Sequence, residues 1–379
     1  MRAWKVSIGV LLLLIIVAAG ALVRTKAAHD SAVARFTGAI TADTSFSGQR
    51  DAYRTLLEAI GPQAQEVLLA HFPPNARTHA LNHESGIYLY DTMGAAGIFE
   101  CKNYFNGSCY HGFIERIIAD RGIGALNDTI KLCSGNRPIE QARECSHGVG
   151  HAFLVLAGYE HLPEAVAKCR SEFAGTDEAI GDCNDGVFME NNFGGFETPP
   201  SDRWYDANDP QYPCDAPEIR ADAIAHASCW FMQSQATLSK TMYPRFDGSM
   251  EKVAAYCARI QDAEDKRVCD QGLARQIQFA AGADLSRIQA NCALAYPKDP
   301  TQCEMDASDS AYAFGAEATA IALCDNSGTH IGDCYNQLYE RISSTSYHTL
   351  SERLAACARL NEAARADVCS AYARAHTNP

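Results

Sequence analysis

The stretch "VAAYCARIQDAEDKRVCDQGLARQ" (Val253–Gln276) decides the fold, because it joins two helical segments through a pair of cysteines. Cys257 closes the first segment and Cys269 opens the next. From Cys269 the chain continues as "CDQGLARQIQFAAG" and then "DLSRIQANC", which predicts a long helix, a short turn and a second helix. We interpret this unit as a helical hairpin, with helix A first and helix B second.

The same arrangement recurs along most of the chain. The 16 cysteines alternate between short and long gaps, and the second members of the short-gap pairs follow one another at intervals of 31 to 46 residues. A period in this range is typical of stacked helical hairpins. The pairs are Cys101 and Cys109, Cys133 and Cys145, Cys169 and Cys183, Cys214 and Cys229, Cys257 and Cys269, Cys292 and Cys303, Cys324 and Cys334, and Cys357 and Cys369.

The spacing of the cysteines predicts a disulfide within each pair. Such a bond would staple helix B of one unit to helix A of the next, and closing a loop of about 12 residues contributes roughly 3 kcal/mol. No pair has the spacing C-x-x-C, which excludes a thioredoxin-type redox motif, c-type haem attachment and a zinc ribbon. A disulfide framework of this kind indicates an oxidising compartment.

In layout, Val253–Gln276 resembles the tetratricopeptide-like short-repeat proteins, particularly their secreted cysteine-rich members. The resemblance covers roughly residues 100–376. It implies an all-α, right-handed, solenoid-like array of helical hairpins stapled by local disulfides. It also implies a binding role, with a protein partner, rather than a defined chemistry.

The N-terminus has the composition of an export segment. "MRAWK" is basic, and Val6–Val23 follows without a charge, which is just long enough to span a bilayer. We therefore predict a membrane helix within residues 1–26, single-pass in a bacterial inner membrane, with the bulk of the chain in the periplasm. The alternative is a signal peptide cleaved near Ala19-Gly20-Ala21, which would release a secreted protein.

Four further segments follow. We predict that residues 27–76 form a helical linker or cap. Residues 77–192 are expected to form the histidine-rich repeats, and residues 223–379 the C-terminal cysteine-paired repeats. Between the repeats, residues 193–222 predict a long loop, because they are rich in Pro, Gly, Asp and aromatic residues and have no helical period. We interpret this loop as a lid over the polar surface, or alternatively as an insertion pinned by its disulfide.

Composition limits the partners. The net charge is −14, which argues against nucleic acid, since phosphates require a basic surface. Hydrophobic residues make up 47% of the chain, as expected of a globular protein. The sequence gives no indication of a nucleotide cofactor.

Histidines recur at one register of the A helices. In "CSHGVGHAF" (residues 145–153), His147 and His151 stand two and six positions after the opening cysteine. These two positions, here called +2 and +6, lie one turn apart on the same helical face. The equivalent residues elsewhere are His111 and Glu115 in the preceding unit, Asp185 in the following unit, and His79 and His83 upstream.

The repeated register predicts a metal site. Stacked A helices would bring these seven side chains to one surface, and a mixture of imidazole and carboxylate suits zinc, iron, manganese or copper rather than calcium. Seven ligands exceed the needs of one tetrahedral zinc, so two metals are possible. Gly112, Gly148 and Gly186 all stand at +3, which indicates that the helices approach closely there. The alternative is hydrogen bonding of the histidines within a polar core.

Three functions remain open from the sequence. The first is an exported, membrane-tethered helical-repeat scaffold with a transition-metal site in its N-terminal repeats. The second is a metal-dependent hydrolase, with Glu115 or Asp185 as general base for a metal-bound water, although HExxH is absent. The third is a protein-interaction solenoid without metal. Axial ligation of haem by paired histidines is a further option without a supporting attachment motif.

Overall fold

A computed structural model describes most of the chain. The described residues are 26–41, 45–72, 76–102, 104–105, 107–125, 128, 131, 139–174, 177–194, 201–240, 242–313, 316–344, 350–360 and 362–375. Within these ranges the protein is helical and has no strand. The prediction of an all-α fold is confirmed.

The helices follow one another along the chain. They are α1 (residues 26–41), α2 (Phe46–Ile60), α3 (Ala64–His71), α4 (Ala76–Met93), α5 (Ser108–Arg121), α6 (Ile139–Ala157), α7 (Leu162–Glu172), α8 (Asp177–Phe193), α9 (Pro217–Arg220), α10 (Ala223–Ala236), α11 (Met250–Cys257), α12 (Ala263–Ala281), α13 (Leu285–Ala295), α14 (Pro300–Ala313), α15 (Glu317–Asn326), α16 (Ile331–Ser344), α17 (Leu350–Cys357) and α18 (Ala363–Ala375).

Local sequence fixes where these helices begin. The side chains of Asp222, Asp262 and Asp284 accept hydrogen bonds from backbone N–H groups in the first turns of α10, α12 and α13. Ser249 does the same for α11. Each cap satisfies donors that the first turn of a helix leaves unpaired, and such caps typically contribute about 1 kcal/mol.

The longer helices pack in chain order. Helix α4 packs against α5, α5 against α6, α6 against α8, and α8 against α10, and the same succession continues through α12, α14, α16 and α18. The shorter helices α11, α13 and α15 pack beside one another in the same order. One cluster of buried apolar side chains extends from Leu89 to Ala373 between these two sets of helices.

The N-terminal helices form a smaller core of their own. Phe36 of α1 packs on Tyr53 of α2, and both are buried together with Leu57 and Leu68. Phe105, which precedes α5, belongs to the same cluster. The described residues of the predicted segment 27–76 are helical apart from Ser45 and Phe72, and α2 packs against α4.

Seven of the eight predicted disulfides are present in the described residues. All seven are local, with Cα–Cα distances of 5.3 to 5.7 Å between their cysteines. Cys145 is also disulfide-bonded, whereas Cys133, its predicted partner, lies outside the described residues. The prediction of local pairing is therefore confirmed for these seven pairs.

The predicted membrane location is not upheld. In the part of the chain that the structure describes, no helix is both long enough and apolar enough to cross a bilayer. Val6–Val23, from which the membrane helix was predicted, lies outside the described residues. The inner-membrane, single-pass prediction is therefore wrong for the described chain, and we withdraw it.

The predicted loop after α8 is folded against the core where it is described. Asn191 donates to and accepts from the backbone of Trp204, and the Trp204 indole donates to the Glu160 carbonyl. Trp204 stacks on Tyr212 with ring centroids 5.7 Å apart. The Cys214–Cys229 disulfide then ties the segment to α10. These contacts fit a pinned insertion better than a movable lid.

Candidate metal centre

Close helix packing brings the histidine-bearing helices together. A Cβ on Gly112 of α5 would stand 2.0 Å from the His83 carbonyl oxygen of α4, and one on Gly86 of α4 would stand 2.0 Å from the Cys109 carbonyl oxygen. No side chain fits at such distances, so both positions require glycine. The result is an α4–α5 contact in which the two backbones touch.

Helices α6 and α8 meet in the same reciprocal way. A Cβ on Gly186 would stand 1.9 Å from the His147 carbonyl oxygen, and a Cβ on Gly150 would stand 1.9 Å from the Cys183 carbonyl oxygen. A Cβ on Gly148 of α6 would stand 2.7 Å from the Ile114 side chain of α5. The glycines at +3 therefore mark close approaches, as the sequence indicated.

Five imidazoles converge where these helices meet. The ring centroids of His79 and His111 are 5.1 Å apart, and His111 stacks on His147 at 4.7 Å. His83 lies 5.1 Å from His79, and His151 lies 5.0 Å from His147 and 4.8 Å from His111. His111, which is fully buried, is at the centre of the cluster.

Ligand-type atoms form three overlapping groups in this cluster. His79, His83 and His111 make the first, and His111, His147 and His151 make the second. Glu115, His151 and Glu190 make the third. Within each group, one nitrogen or oxygen from every residue lies within 4.8 Å of the others. His111 is shared by the first two groups, and His151 by the last two.

The Nδ1 atoms of three rings are engaged by acceptors other than histidine. His79 Nδ1 donates to the Phe105 carbonyl at 2.7 Å, and His151 Nδ1 donates to the Glu190 carboxylate at 2.8 Å. His83 Nδ1 lies 3.4 Å from Glu115 Oε1. In the neutral ring, each of these contacts holds the proton on Nδ1 and leaves the lone pair on Nε2, which is how metal-binding histidines are usually oriented.

Four Nε2 atoms of the cluster are buried without a hydrogen-bond partner: those of His83, His111, His147 and His151. Leaving a buried polar atom unpaired costs about 1–3 kcal/mol. Four such atoms in one cluster therefore destabilise the folded chain. They point to a group, other than a hydrogen-bond donor of the chain, that satisfies several lone pairs together.

Burial also sets the charge state of the cluster. Burial lowers the pKa of His79, His111 and His147 well below its ordinary value, and neighbouring imidazoles lower it further. These rings are therefore neutral at neutral pH, as metal ligands must be. Burial opposes a charge on His83 as well, but the Glu115 carboxylate outweighs it, and the His83 pKa is raised while that of Glu115 is lowered.

Asp185 lies apart from the three ligand groups. Its carboxyl lies beside Ser228 of α10, and burial raises its pKa to about 7. It lines a polar cavity of about 330 Å³ beside the cluster. Six of the seven predicted ligands thus converge, namely His79, His83, His111, Glu115, His147 and His151, whereas Asp185 faces a different space.

The cavity continues the register of the histidines. Phe231 and Gln271 line it from +2, and Arg275 and Asp309 from +6. The side chains at +2 and +6 of successive A helices therefore change along the chain from imidazole to guanidinium and carboxylate. His147 lines both the cavity and the histidine cluster, so the two regions share a wall.

Two acidic residues of the cluster lie outside the +2 and +6 positions and were not predicted as ligands. Glu190 stands at +7 of its unit, one position beyond the register, and its second oxygen accepts a hydrogen bond from the Tyr159 hydroxyl. Glu144 precedes the opening cysteine of its unit, and its Oε2 lies 3.8 Å from His111 Nε2. Gly107 makes room for Glu144, because a Cβ there would stand 1.9 Å from the same oxygen.

Comparisons with known proteins add no relative to this description. No protein-family model matches the chain, and neither a curated protein nor a solved structure shows significant similarity to it. The resemblance to tetratricopeptide-like repeats therefore remains one of layout. Function has to be inferred from the cluster itself.

Proposed function

We propose that this protein binds transition metal ions through the histidine cluster of α4, α5 and α6. The observation that carries the proposal is the set of four buried, unpaired Nε2 atoms in one cluster. A divalent metal accepts several imidazole lone pairs at once, and it would relieve an arrangement that is otherwise costly.

The donor set narrows the choice of metal. Histidine nitrogens predominate, and the carboxylates of Glu115 and Glu190 are turned toward histidine Nδ1 atoms. Imidazole suits zinc, copper, iron and nickel, whereas manganese and calcium prefer oxygen ligands. We expect zinc and copper to bind more tightly than manganese.

The wider proposal is an exported, right-handed repeat solenoid that carries this metal site and binds a protein partner. Support for export comes from the disulfides, which persist in oxidising compartments. Support for a solenoid comes from the packing of each long helix on the next from α4 to α18. A stack of this kind presents an extended inner surface, and repeat proteins use such surfaces to bind partners.

Metal analysis tests the proposal directly. The full chain would be purified with its disulfides intact, stripped with a chelator, dialysed against zinc or copper and analysed for bound metal. We expect stoichiometric metal in the unmodified chain and its loss in His147→Ala/His151→Ala. His161→Ala is the matched control, because His161 is exposed and pairs with Glu164 outside the cluster.

Equal metal content in the unmodified chain and the double variant would contradict the proposal. A stripped chain that takes up no metal would instead favour the metal-free interaction solenoid. Circular dichroism of each variant shows whether the helices are intact, so that loss of metal can be separated from loss of fold.

One observation favours a second candidate, a metal-dependent hydrolase. His147 separates the histidine cluster from a cavity large enough for a small substrate, so a metal at this ring would have a ligand site beside it. The test is turnover of a generic phosphoester or peptide substrate by the metal-loaded chain. Activity that disappears on chelation and returns with metal would support this candidate, and its absence would leave metal binding alone.

A further inference from the structure

His111 differs from the other histidines of the cluster in the surroundings of its two ring nitrogens. Its Nδ1 lies 3.3 Å from His79 Nε2 on α4. Its Nε2 lies 3.8 Å from Glu144 Oε2 on α6, so it faces the helix that carries His147 and His151. This Nε2 has no hydrogen-bond partner. Both nitrogens of this one ring point at ligand-type atoms, on opposite sides.

Three of the other rings offer a single nitrogen. The Nδ1 atoms of His79, His83 and His151 face Phe105, Glu115 and Glu190 respectively, which leaves Nε2 as the metal-binding atom of each. The cluster thus contains two rings from α4 on one side of His111 and two rings from α6 on the other. His111 is the member common to both histidine groups.

We propose that the cluster is a two-metal centre bridged by the imidazolate of His111, an inference that rests on the metal-binding function proposed above. The first ion would be held by His79, His83 and His111 Nδ1. The second would be held by His111 Nε2, His147 and His151. Glu144 stands beside the second ion, where it can supply a further oxygen ligand.

The distance between the two facing ring nitrogens fits this arrangement. Two nitrogens bound to one tetrahedral zinc, each about 2.0–2.1 Å from the metal, stand about 3.4 Å apart. The 3.3 Å between His79 Nε2 and His111 Nδ1 agrees with that edge. Each histidine group also falls within a 4.8 Å span, so its atoms can close around one ion after small side-chain movements.

The charge balance of the bridge is straightforward. Neutral His111 carries one ring proton, and binding of the second ion displaces that proton to solvent. The resulting imidazolate carries one negative charge between two divalent ions, with a nitrogen lone pair directed at each. Glu115 and Glu144 lie close by, so their carboxylates reduce the repulsion between the two ions.

A single-ion centre is the alternative. In that case His111 Nδ1–H would donate a hydrogen bond to His79 Nε2, and His79 would only orient His111 toward one ion held with His147 and His151. The two arrangements differ in stoichiometry, in the role of His79 and in magnetic behaviour. All three can be measured on the folded, disulfide-intact full chain loaded with Cu²⁺.

The experiment compares the unmodified chain with His79→Gln and His111→Gln, and uses His161→Gln as the control. For the unmodified chain and the control we expect two bound copper ions per chain. Their low-temperature electron paramagnetic resonance signal should be well below that of two isolated spins, because an imidazolate couples the ions antiferromagnetically. His79→Gln should bind one copper with the full signal of one isolated spin. His111→Gln should lose the coupling.

One copper per chain in the unmodified protein, with the same stoichiometry and only weaker binding in His79→Gln, would overturn the bridged centre while leaving metal binding intact. Two copper ions with the full signal of two isolated spins would overturn the bridge as well. No bound copper would contradict the metal-binding function itself. If His111→Gln fails to fold, His79→Gln and the signal of the unmodified chain still decide between the two centres.

Discussion

Gly186 of α8 lies against the backbone of His147 of α6, so closely that a Cβ on Gly186 would stand 1.9 Å from the His147 carbonyl oxygen. The same Cβ would stand 3.1 Å from the backbone nitrogen of His151. Helix α8 therefore touches α6 directly beneath the two histidines, and it brings Glu190 within hydrogen-bond distance of His151.

Replacement of Gly186 by alanine should separate these helices. Overpacking of this kind typically costs about 1–3 kcal/mol, and a shift of α8 would also break the hydrogen bond from His151 to Glu190. We expect a lower free energy of unfolding in denaturant and weaker metal binding in Gly186→Ala.

Gly181→Ala is the matched control on the same helix. A Cβ at Gly181 meets only the Ile224 side chain, at an ordinary contact distance of 3.6 Å. Alanine is favoured over glycine inside a helix by up to about 1 kcal/mol, so this variant should be neutral or more stable. Equal destabilisation of both variants would show that the close approach at Gly186 is unimportant.

Glu190→Gln should weaken metal binding without removing it. The Glu190 carboxylate accepts hydrogen bonds from His151 Nδ1 and from the Tyr159 hydroxyl, so it orients the ring and makes Nε2 a better donor to a metal. Loss of such an orienting carboxylate typically costs about 10–100-fold in metal affinity. Competition titration against a chelating dye measures the change, with Glu164→Gln, at the exposed His161, as the control. Complete loss of metal would mean that Glu190 is itself a ligand.

Asp185→Asn should leave the metal content unchanged. The sequence register placed Asp185 among the ligands, but in the structure it belongs to none of the three ligand groups and lines the polar cavity. Elemental analysis of the loaded variant beside His147→Ala/His151→Ala gives the comparison. A loss of metal from Asp185→Asn comparable to that of the double variant would restore Asp185 to the ligand set.

Asp185 illustrates which part of the site could be predicted from the sequence and which could not. Positions two and six residues after an opening cysteine share a helical face, and α4 carries histidines at the same spacing after Arg77. Together with the stacking of the A helices, this register predicted that the α4, α5 and α6 histidines would meet. It does not give the rotation of one helix about its axis relative to the next. Helix α8 contributes Glu190 to the third ligand group and Asp185 to the lining of the cavity.

Acid should destabilise the stripped protein through its buried histidines. Burial holds the pKa of His79, His111 and His147 below its unfolded value near 6.5, so the unfolded state binds more protons as the pH falls below about 7. The free energy of unfolding then decreases by up to about 1.4 kcal/mol per pH unit for each such proton. His83, whose pKa is raised by Glu115, opposes this trend.

Denaturant unfolding of the metal-free chain between pH 7.5 and pH 5 measures this effect. His111→Gln removes one of the three groups, so its stability should depend less steeply on pH than that of the unmodified chain. His161→Gln is the control, because that ring is exposed and lies outside the cluster. An identical pH dependence in His111→Gln and in the unmodified chain would refute the assignment of His111 as a neutral buried ring.

Removal of one disulfide near the cluster should affect both stability and metal binding. Cys169–Cys183 closes a loop of 14 residues and anchors the start of α8, the helix that carries Gly186 and Glu190. Cys357–Cys369 closes a comparable loop of 12 residues at the C-terminal end of the array. In the chain-entropy model each bond contributes about 3 kcal/mol to stability. In a stack of helices, the loss of one bond mainly destabilises the neighbouring helices.

The paired variants Cys169→Ala/Cys183→Ala and Cys357→Ala/Cys369→Ala separate these effects. Both should unfold at lower denaturant concentration than the unmodified chain. Only the first should bind metal more weakly, because it loosens α8 against α6 at the place where Gly150 meets the Cys183 carbonyl oxygen. If the C-terminal variant lost metal to the same extent, the helices would be unfolding as one cooperative unit. That result would contradict the proposal that the packing of α8 on α6 locally supports the histidines.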